Sequence, residues 1–264
     1  MKNIYLHTNE DKETLKTKEE LIKLLKSNDF NIYDKFSKDV DIVIVIGGDG
    51  TFLNGIKEAN YYDALILGIN TGHLGFFADF KPDKLLDVVE TCLKENYQIQ
   101  RCKTIKIELE TDKGTIILDP AVNDVFVKHG HSSIIHLDLL VNDEYIESFS
   151  GDGILISSSA GSTAYNYSLK GSIVDPRVDL LQITPVAPTN NSVYRCLTSS
   201  LIIPANEKIV IIPKDENNTI VITDGNENII EGIKKIIVTL SNEEVKIIRS
   251  SSYSFWNKVK SKFL

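Results

Sequence analysis

The chain has 264 residues and a net charge of −8, with 42% hydrophobic and 25% charged residues. This length holds one large domain or two moderate ones, and the composition is that of an ordinary soluble protein. The acidic balance argues against a nucleic-acid-binding protein, which would usually present a basic face. It is compatible with a dinucleotide ligand, because backbone N–H groups bind phosphate whatever the net charge.

Cysteine usage and the terminal sequence indicate a cytoplasmic protein. The three cysteines, Cys92, Cys102 and Cys196, form no CxxC pair, which is typical of reduced thiols. The first residues do not resemble a signal peptide, and no run approaches the ~20 apolar residues of a membrane span. We therefore expect no membrane partner.

The first hundred residues alternate between strand and helix patterns, which predicts an N-terminal Rossmann-like α/β domain over residues 1–100. The apolar run at residues 42–46 has no polar break, as in a strand buried on both faces of a parallel sheet. The other elements predicted in this domain are strands at residues 4–6 and 65–69 and helices at residues 11–27, 51–59 and 82–94.

A glycine turn, Gly47-Gly-Asp-Gly-Thr51, follows the strand at residues 42–46. Ligands of open α/β sheets bind at the carboxyl ends of strands, and the N–H groups of such a turn and of a helix opened by Thr51 suit phosphate. Asp49 would repel phosphate, so its presence points to a proton acceptor or a metal partner. The simpler alternative is a tight turn with an aspartate at its tip. Neither the P-loop pattern nor the Gly-x-Gly-x-x-Gly spacing fits this turn.

A second glycine-containing turn, residues 70–77, follows the strand at residues 65–69. If the two strands are neighbours, both turns emerge at the same sheet edge and form one cleft. His73 is a candidate metal ligand or base, although a turn histidine bonded to the backbone is the favoured interpretation. Phe76 and Phe77 are candidates for stacking on a ligand ring or for packing in the core.

Residues 101–249 carry short β-rich runs separated by turn signals, which predicts a mostly antiparallel C-terminal β domain. Asp224-Gly225 is a strong hairpin signal within it. Residues 250–264 are predicted to form a helix that packs back on the first domain. The lysines on this helix, Lys258, Lys260 and Lys262, would also fit a membrane surface, but a solvated helix face is favoured.

Two polar stretches interrupt the β domain. The first, Asn123-Asp124, lies within an apolar strand, where unpaired burial would be costly, so it faces a turn, a bulge or a ligand. An asparagine can read an adenine edge, and an aspartate accepts from ribose hydroxyls. Nearby, His129 and His131 resemble a metal pair, but no third ligand is close in sequence and a solvent-exposed loop is favoured.

The second polar stretch, residues 150–165, places Gly151-Asp-Gly153 before a short strand. A cluster of small hydroxyl residues then leads into a helix predicted at residues 161–169. Small residues let the backbone approach a ligand closely, and Tyr165 can stack on a flat ring. Taken alone, the stretch also fits a serine-rich loop that caps a helix.

Nearly the whole chain resembles the NAD kinase family, in particular its shorter bacterial members. The first of the matching segments is shared with lipid kinases, whereas their combination is specific. The segments that carry the resemblance, in the family's order, are Gly47-Gly-Asp-Gly-Thr51, Asn70-Thr-Gly-His-Leu-Gly-Phe76, Asn123-Asp124, Gly151-Asp-Gly153 and Gly161-Ser-Thr-Ala-Tyr165.

The resemblance implies a kinase that transfers the γ-phosphoryl group of ATP to the 2′-hydroxyl of the adenosine ribose of NAD and so forms NADP. It implies that the C-terminal β domain binds NAD. It also implies a divalent metal ion, with Mg²⁺ the expected one, and a homotetramer whose nucleotide sites lie between domains and near a subunit interface.

The resemblance assigns roles to individual residues. Asp49 matches the catalytic carboxylate, which acts as the base for the 2′-hydroxyl. The backbone of the first glycine turn is expected to bind phosphate through Gly47, Gly48, Gly50 and Thr51. The expected substrate-binding residues are Gly50, Phe76, Asn123, Asp124, Asp152, Ser158, Thr163, Ala164, Tyr165 and Ser168.

The chain departs from the family pattern in four places, and two other functions stay open. Asp124 stands where many members have glutamate, and Ser158-Ser159 replaces Thr-Pro. Ser150 replaces an arginine that is a candidate phosphate partner, and Lys170 replaces a glycine. A non-catalytic dinucleotide sensor would explain the changes at residues 124, 150 and 158–159 as lost activity. A lipid or sugar kinase of the wider superfamily is the other alternative, and the Gly-Ser-Thr-Ala-Tyr segment argues against it.

Overall fold

The structure, a computed structural model, describes residues 2–61, 63–72, 75–191 and 195–264. His73, a candidate ligand above, lies outside the described residues. The strands, in chain order, are β1 (Asn3–Thr8), β2 (Asn31–Tyr33), β3 (Ile42–Ile46), β4 (Leu65–Ile69), β5 (Tyr97–Thr111), β6 (Gly114–Ile117), β7 (Asp124–His129), β8 (Ile135–Val141), β9 (Glu144–Gly151), β10 (Gly153–Ser158), β11 (Leu180–Val186), β12 (Leu201–Pro204), β13 (Ile209–Pro213), β14 (Thr219–Thr223), β15 (Asn226–Asn228) and β16 (Ile233–Ser250). The α-helices are α1 (Lys12–Lys26), α2 (Asp49–Glu58), α3 (Leu85–Lys94), α4 (Tyr165–Ser168) and α5 (Phe255–Phe263).

The chain folds as two compact units, and the first, called the N-terminal unit, comprises residues 1–101 and 244–264. Its strands form a parallel sheet in the order β2, β1, β3, β4 and the end of β16. Every residue of β3 is at most 1% exposed, because helices cover both faces of a parallel sheet and each face needs apolar side chains. The predicted α/β fold of this part of the chain is confirmed.

The second unit, called the β unit, comprises residues 102–243. One antiparallel sheet has the strand order β12, β11, β10, β7, β14 and β15, and the start of β16 pairs with β13, which leads on to β8 and β9. Inward-facing apolar residues of both sheets form one core. The predicted, mostly antiparallel β fold is confirmed, although the sequence did not predict β2 or β11, whose apolar runs are short or broken by polar residues such as Gln182.

Residues 161–169 do not form the single helix predicted from the sequence. A 3-10 turn covers Ala160–Thr163, the backbone leaves the helical conformation at Ala164 with φ of −92° and ψ of −133°, and α4 then adds one turn. The side chain of Asn166 is fully buried and donates to the carbonyl of Ser162. This side-chain bond stabilises a compact double turn, so the helical spacing of the sequence does not extend into a longer helix.

The C-terminal helix α5 packs on the N-terminal unit, as predicted, through a buried ion cluster. Lys258 Nζ donates to Asp79 Oδ1 at 2.6 Å and to the carbonyl of Ala78 at 2.7 Å. Arg249, at the end of β16, bonds the same carboxylate oxygen at 3.1 Å. By contrast, Trp256 is 54% exposed and does not contribute to this packing face. No helix in the described ranges is long and apolar enough to cross a membrane.

Candidate active site

The helix after the first glycine turn begins at Asp49, two residues earlier than the start at residue 51 predicted from the sequence. Gly48 precedes it with extended backbone angles, φ −90° and ψ −174°. An acidic residue in the first turn is favoured by the helix dipole, which explains the early start. Asp49 therefore stands at the positive end of α2, where N–H groups without intrahelical acceptors suit an anion.

Backbone N–H groups of the second turn hold the Asp49 carboxylate. Oδ2 accepts from the N–H of Phe76 at 2.9 Å, and Oδ1 accepts from that of Phe77 at 3.2 Å. Gly75 lies directly against the carboxylate, because a Cβ there would come within 2.1 Å of Asp49 Oδ1. The side chain is still 31% exposed. The two turns, which follow the neighbouring strands β3 and β4, thus meet around one accessible carboxylate.

The glycines of the first turn differ in structural role. Gly47 donates its N–H to the carbonyl of Ile69 at 2.9 Å, so this N–H is not free for the phosphate expected from the sequence. Its φ of +155° and a hypothetical Cβ only 2.6 Å from Thr51 Cβ both require glycine. Around Gly48 and Gly50, by contrast, the described residues leave open space. A phosphate group can therefore approach the backbone at these two positions.

Phe76 lies beneath α5 and is only 7% exposed. Its ring centre is 5.4 Å from that of Phe263 and 6.2 Å from that of Phe255. The expected contact between Phe76 and a nucleotide is thus limited to the ring surface that these aromatic side chains leave uncovered. The same helix brings Lys262 Nζ to 5.0 Å from the Phe76 ring centre and to 4.0 Å from Asp49 Oδ2.

In the β unit, the side chain of Asp224 organises the Asn123-Asp124 stretch. Its carboxylate accepts from the N–H groups of Val122 and Asn123 at 2.7 Å and from that of Asp124 at 3.1 Å. The hairpin turn predicted at Asp224-Gly225 does join β14 and β15. The sequence did not predict that Asp224 also binds the backbone of the Asn123-Asp124 stretch, because Asn123 is 101 positions away in the chain and leaves no local signal.

Two buried polar side chains at this stretch point to a ligand. Asn123 is 8% exposed, and its Oδ1 has no hydrogen-bond partner among the described residues. Burial and the neighbouring charge of Asp224 raise the pKa of Asp124 to about 7. Burial also raises the pKa of Asp224, but its three N–H donors favour the anion, so Asp124 is the member of the pair that takes up the proton. Buried polar groups of this kind need partners, and a bound nucleoside can supply them.

Ser158 and Gly161 hold the end of β10 against the same stretch. The hydroxyl of Ser158 donates to the carbonyl of Val122 at 2.6 Å and accepts from the N–H of Gly161 at 3.1 Å. A Cβ at Gly161 would come within 2.0 Å of the Asn123 carbonyl oxygen, so only glycine permits this approach. The hydroxyl of Ser158, an expected substrate-binding residue, is therefore engaged by the backbone at Val122 and Gly161.

The other expected substrate-binding residues of the β unit differ in accessibility. Asp152 and Ser168 are exposed, Ala164 is half-buried and Thr163 is buried. Tyr165 is 44% exposed, and its ring makes an edge contact with a neighbouring phenylalanine at 5.7 Å between ring centres. An accessible aromatic ring that is fixed at one edge is suited to stacking on a base.

Two departures from the family pattern have visible consequences. Lys170 adopts a φ of +64°, the left-handed conformation for which a glycine is better suited. Ser150 is buried, and its hydroxyl pairs with His136 Nδ1 at 2.8 Å. This serine therefore does not replace the phosphate contact expected of an arginine.

Among the described residues, no further ligands join His129 and His131 to make a metal site. His129 ends β7 instead of lying in the predicted exposed loop, and its Nε2 is 3.5 Å from Asp215 Oδ2. Within the part of the chain that the structure describes, no group of three or more His, Cys, Asp or Glu side chains is placed to hold a metal ion.

The N-terminal unit has a parallel sheet and a carboxylate at a helix terminus suited to anions. The β unit of the same chain is antiparallel and holds buried polar groups. These features define a nucleotide-binding protein of the α/β plus β class. Family models of the ATP-NAD kinase N-terminal and C-terminal domains match residues 7–97 and 122–250. The NAD kinase of Finegoldia magna is 31% identical over 268 residues, which cover 100% of this chain and 98% of that protein. The chain therefore belongs to the NAD kinase family, and it is an enzyme.

A further relative agrees with this assignment, and two solved structures share the fold. An NAD kinase of Streptococcus pyogenes serotype M1 is 34% identical over 86% of this chain and 82% of its own length. Yeast NADH kinase complexed with NADH has a TM-score of 0.86 and 20% identity, covering 98% of this chain and 86% of that one. An NAD kinase from Archaeoglobus fulgidus in complex with ATP has a TM-score of 0.78 and 21% identity, covering 99% of each chain. The two structures show that the fold is shared.

Proposed function

We propose that the enzyme transfers the γ-phosphoryl group of ATP to the 2′-hydroxyl of the adenosine ribose of NAD, with Asp49 as the general base. The phosphorylation of NAD to NADP, with ATP as donor, follows from membership of the NAD kinase family. One observation supports the choice of base: the accessible Asp49 carboxylate is held by two N–H donors at the start of α2.

The environment of Asp49 suits the acceptance of a hydroxyl proton. Each carboxylate oxygen can accept two hydrogen bonds, and the N–H groups of Phe76 and Phe77 occupy one site on each oxygen. A free lone pair of the Asp49 carboxylate accepts the proton of the 2′-hydroxyl while the hydroxyl oxygen attacks the γ-phosphorus. The bond between the γ-phosphorus and the β–γ bridging oxygen breaks, and ADP leaves. Because the two donors already orient the carboxylate, little reorganisation is needed during the reaction.

The proposed phosphate contacts are backbone N–H groups of Gly48, Gly50 and Thr51 at the start of α2. We propose that a divalent metal ion, Mg²⁺ by expectation, is held chiefly by the phosphates of ATP, since this ion is usually bound through substrate phosphates and one or two carboxylates. Such an ion would neutralise part of the phosphate charge when bound.

In the proposal, Asn123 and Asp124 bind the adenosine part of NAD. Asn123 Oδ1 needs a donor, which an adenine amino group provides, and the Asp124 carboxylate accepts from a ribose hydroxyl. Tyr165 stacks on a ring of the ligand. The other residues proposed to line the substrate sites are Gly50, Phe76, Asp152, Ser158, Thr163, Ala164 and Ser168.

The proposed function is tested by incubating the protein with NAD, ATP and Mg²⁺ and assaying the product with an NADP-specific dehydrogenase. We expect NADP, with ³¹P NMR showing a 2′-phosphate. Binding of NAD without formation of NADP would identify a dinucleotide sensor instead. Phosphorylation of a lipid or sugar, with no NADP, would identify a kinase of the wider superfamily.

We expect the affinity for NAD to rise with pH up to about 7 and to level off above it. Below this pH, the Asp124 carboxyl holds a proton and loses an acceptor site, since its pKa is raised to about 7. The dissociation constant should then rise by up to about tenfold per pH unit. Calorimetric titration of NAD into the protein between about pH 5.5 and 8.5 measures this effect.

The matched control for this pH dependence is Asp124→Asn, which should bind NAD equally across the range. In the unchanged protein, the Asp124 carboxyl makes the stability of the fold fall with rising pH, whereas the affinity for NAD rises. Because its pKa is higher in the folded than in the unfolded state, the folded protein binds more protons between about pH 4 and 7, and the free energy of unfolding falls as pH rises there. An affinity of the unchanged protein that does not vary with pH would contradict the role of Asp124.

We expect Gly75→Ala to lower kcat by about 100-fold, because a displacement of about 1 Å at a reacting group costs this much. The new Cβ would overlap the Asp49 carboxylate and force it away from its N–H donors. Steady-state formation of NADP measures the effect. Gly72→Ala is the control in the same turn, since its Cβ would meet, among the described residues, only Asn70 Oδ1 at 3.9 Å. Equal kcat values for the two variants would show that the Asp49 position does not limit turnover.

We further propose, from the resemblance, a homotetramer located in the cytoplasm. Light scattering on the purified protein tests the first point, with four times the mass of one chain expected. Fractionation of cells that express the protein tests the second.

A further inference from the structure

We propose that Lys262 is a binding residue for ATP, with its ammonium group on the phosphates beside Asp49. The inference rests on the proposed function, which places these phosphates at the start of α2. Lys262 lies in the last turn of α5, with Nζ 4.0 Å from Asp49 Oδ2. The sequence has no P-loop lysine, and Lys262 brings a cation beside the glycine turn from a distant part of the chain.

A cation is needed at this position because Asp49 repels phosphate. The N-terminus of α2 carries only about half a positive charge, whereas the carboxylate carries a full negative charge. An ammonium group 4.0 Å away offsets that charge. This separation is longer than a charged hydrogen bond of about 2.7–2.9 Å, so the N–H donors of Lys262 are not all engaged by Asp49.

The surroundings of Lys262 leave room for a ligand. Its side chain is 30% exposed, and the stem passes over Phe76 with Nζ 5.0 Å from the ring centre. The described residues leave open space in front of Gly48 and Gly50, on the same turn as Asp49. A phosphate group in that space would meet backbone N–H groups of the turn, and the ammonium group lies 4.0 Å from the Asp49 carboxylate of the same turn.

The packing of α5 directs Lys262 to this place. Lys258 lies four residues earlier, on the same helix face, and is bonded to Asp79 and to the carbonyl of Ala78. Phe263 packs on Phe76 with 5.4 Å between ring centres. Lys260, on the other face of the helix, is exposed. It therefore provides a matched control with the same charge and the same helical context.

The test compares Lys262→Met with Lys260→Met, because methionine keeps an apolar stem over Phe76 and removes only the charge. Calorimetry with ATP and Mg²⁺, without NAD, measures the dissociation constant of ATP directly. We expect Lys262→Met to raise it by about 10- to 100-fold, the effect of losing a charged contact, and Lys260→Met to leave it unchanged. The KM for NAD should stay the same in both variants, and Lys262→Arg should recover most of the ATP affinity.

The proposal would be overturned if the ATP dissociation constant of Lys262→Met stayed within twofold of that of the unchanged protein. An equal rise of this constant in both lysine variants would also overturn it. A fall in kcat with unaltered ATP affinity would overturn it too. If the unchanged protein made no NADP, the proposed function would fail, but the calorimetric comparison would still decide whether Lys262 binds ATP. Thermal unfolding of each variant checks that the fold is kept, and Lys262→Gln serves as a second neutral replacement.

Discussion

Replacing Asp49 by asparagine is expected to lower kcat by about 10²–10⁴-fold, the usual contribution of a general base. Asparagine has nearly the same shape but cannot take up a proton from the 2′-hydroxyl. The affinity for NAD should change little, because the proposed adenosine contacts, Asn123 and Asp124, belong to the β unit. The measurement is NADP formation under saturating NAD and ATP, with calorimetric titration of NAD alongside.

The hydrogen bonds of Asp49 require a control in this experiment. Asparagine can accept from only one of the two N–H donors, and leaving the other unsatisfied costs about 1–3 kcal/mol of stability. Thermal unfolding of Asp49→Asn therefore accompanies the kinetics. Asp49→Glu keeps a carboxylate in a shifted position and should retain more activity than Asp49→Asn. A kcat of Asp49→Asn close to that of the unchanged protein would show that another group accepts the proton.

Replacing Asp79 by asparagine is expected to lower the free energy of unfolding by about 3–5 kcal/mol, since two buried cations would lose their counter-charge. Arg249 is 2% exposed and Lys258 is 9% exposed, and both bond the same carboxylate. Burial already lowers the pKa of Lys258, while the charge of Asp79 opposes this shift. Without Asp79, Lys258 would be driven further towards its neutral form.

Urea-induced unfolding of the two proteins measures this difference in stability. Asp83→Asn is the control, because Asp83 is exposed close by in sequence and its replacement should change stability by less than about 0.5 kcal/mol. In the Asp79→Asn background, Lys258→Met should recover part of the loss by removing one of the unpaired charges. A loss below about 1 kcal/mol for Asp79→Asn would show that the cluster is not effectively buried in solution.

Residue patterns predicted the fold because they report burial locally. The unbroken apolar run that became β3 could only belong to a strand covered on both faces, and the change of texture near residue 101 marked the start of β-rich sequence. The helix start was misplaced by two residues, because the sequence suggested Thr51 as its first residue while the dipole favours Asp49 in the first turn. The break at Ala164 could not be predicted, since it depends on where the buried side chain of Asn166 finds partners.

The candidate site was predicted in part. Motif order identified Asp49 and the Asn123-Asp124 stretch, because a glycine turn after a strand and a polar pair within an apolar strand are both local anomalies. The roles of Gly75 and Gly161 were not foreseen, because each depends on what approaches the glycine in space. The same limitation applies to Gly47, whose N–H was expected to bind phosphate and is bonded to β4 instead.

By itself, the sequence determined the two kinds of unit, the family and the carboxylate proposed as base, since each depends on the order and spacing of residues along the chain. Only the tertiary structure decided which distant groups meet. It placed Asp224 under the Asn123-Asp124 stretch, and it brought Lys262 beside Asp49. Hydrogen bonds and ion pairs act over a few ångströms in space and do not depend on separation in sequence. The amino-acid sequence alone therefore does not predict these pairings.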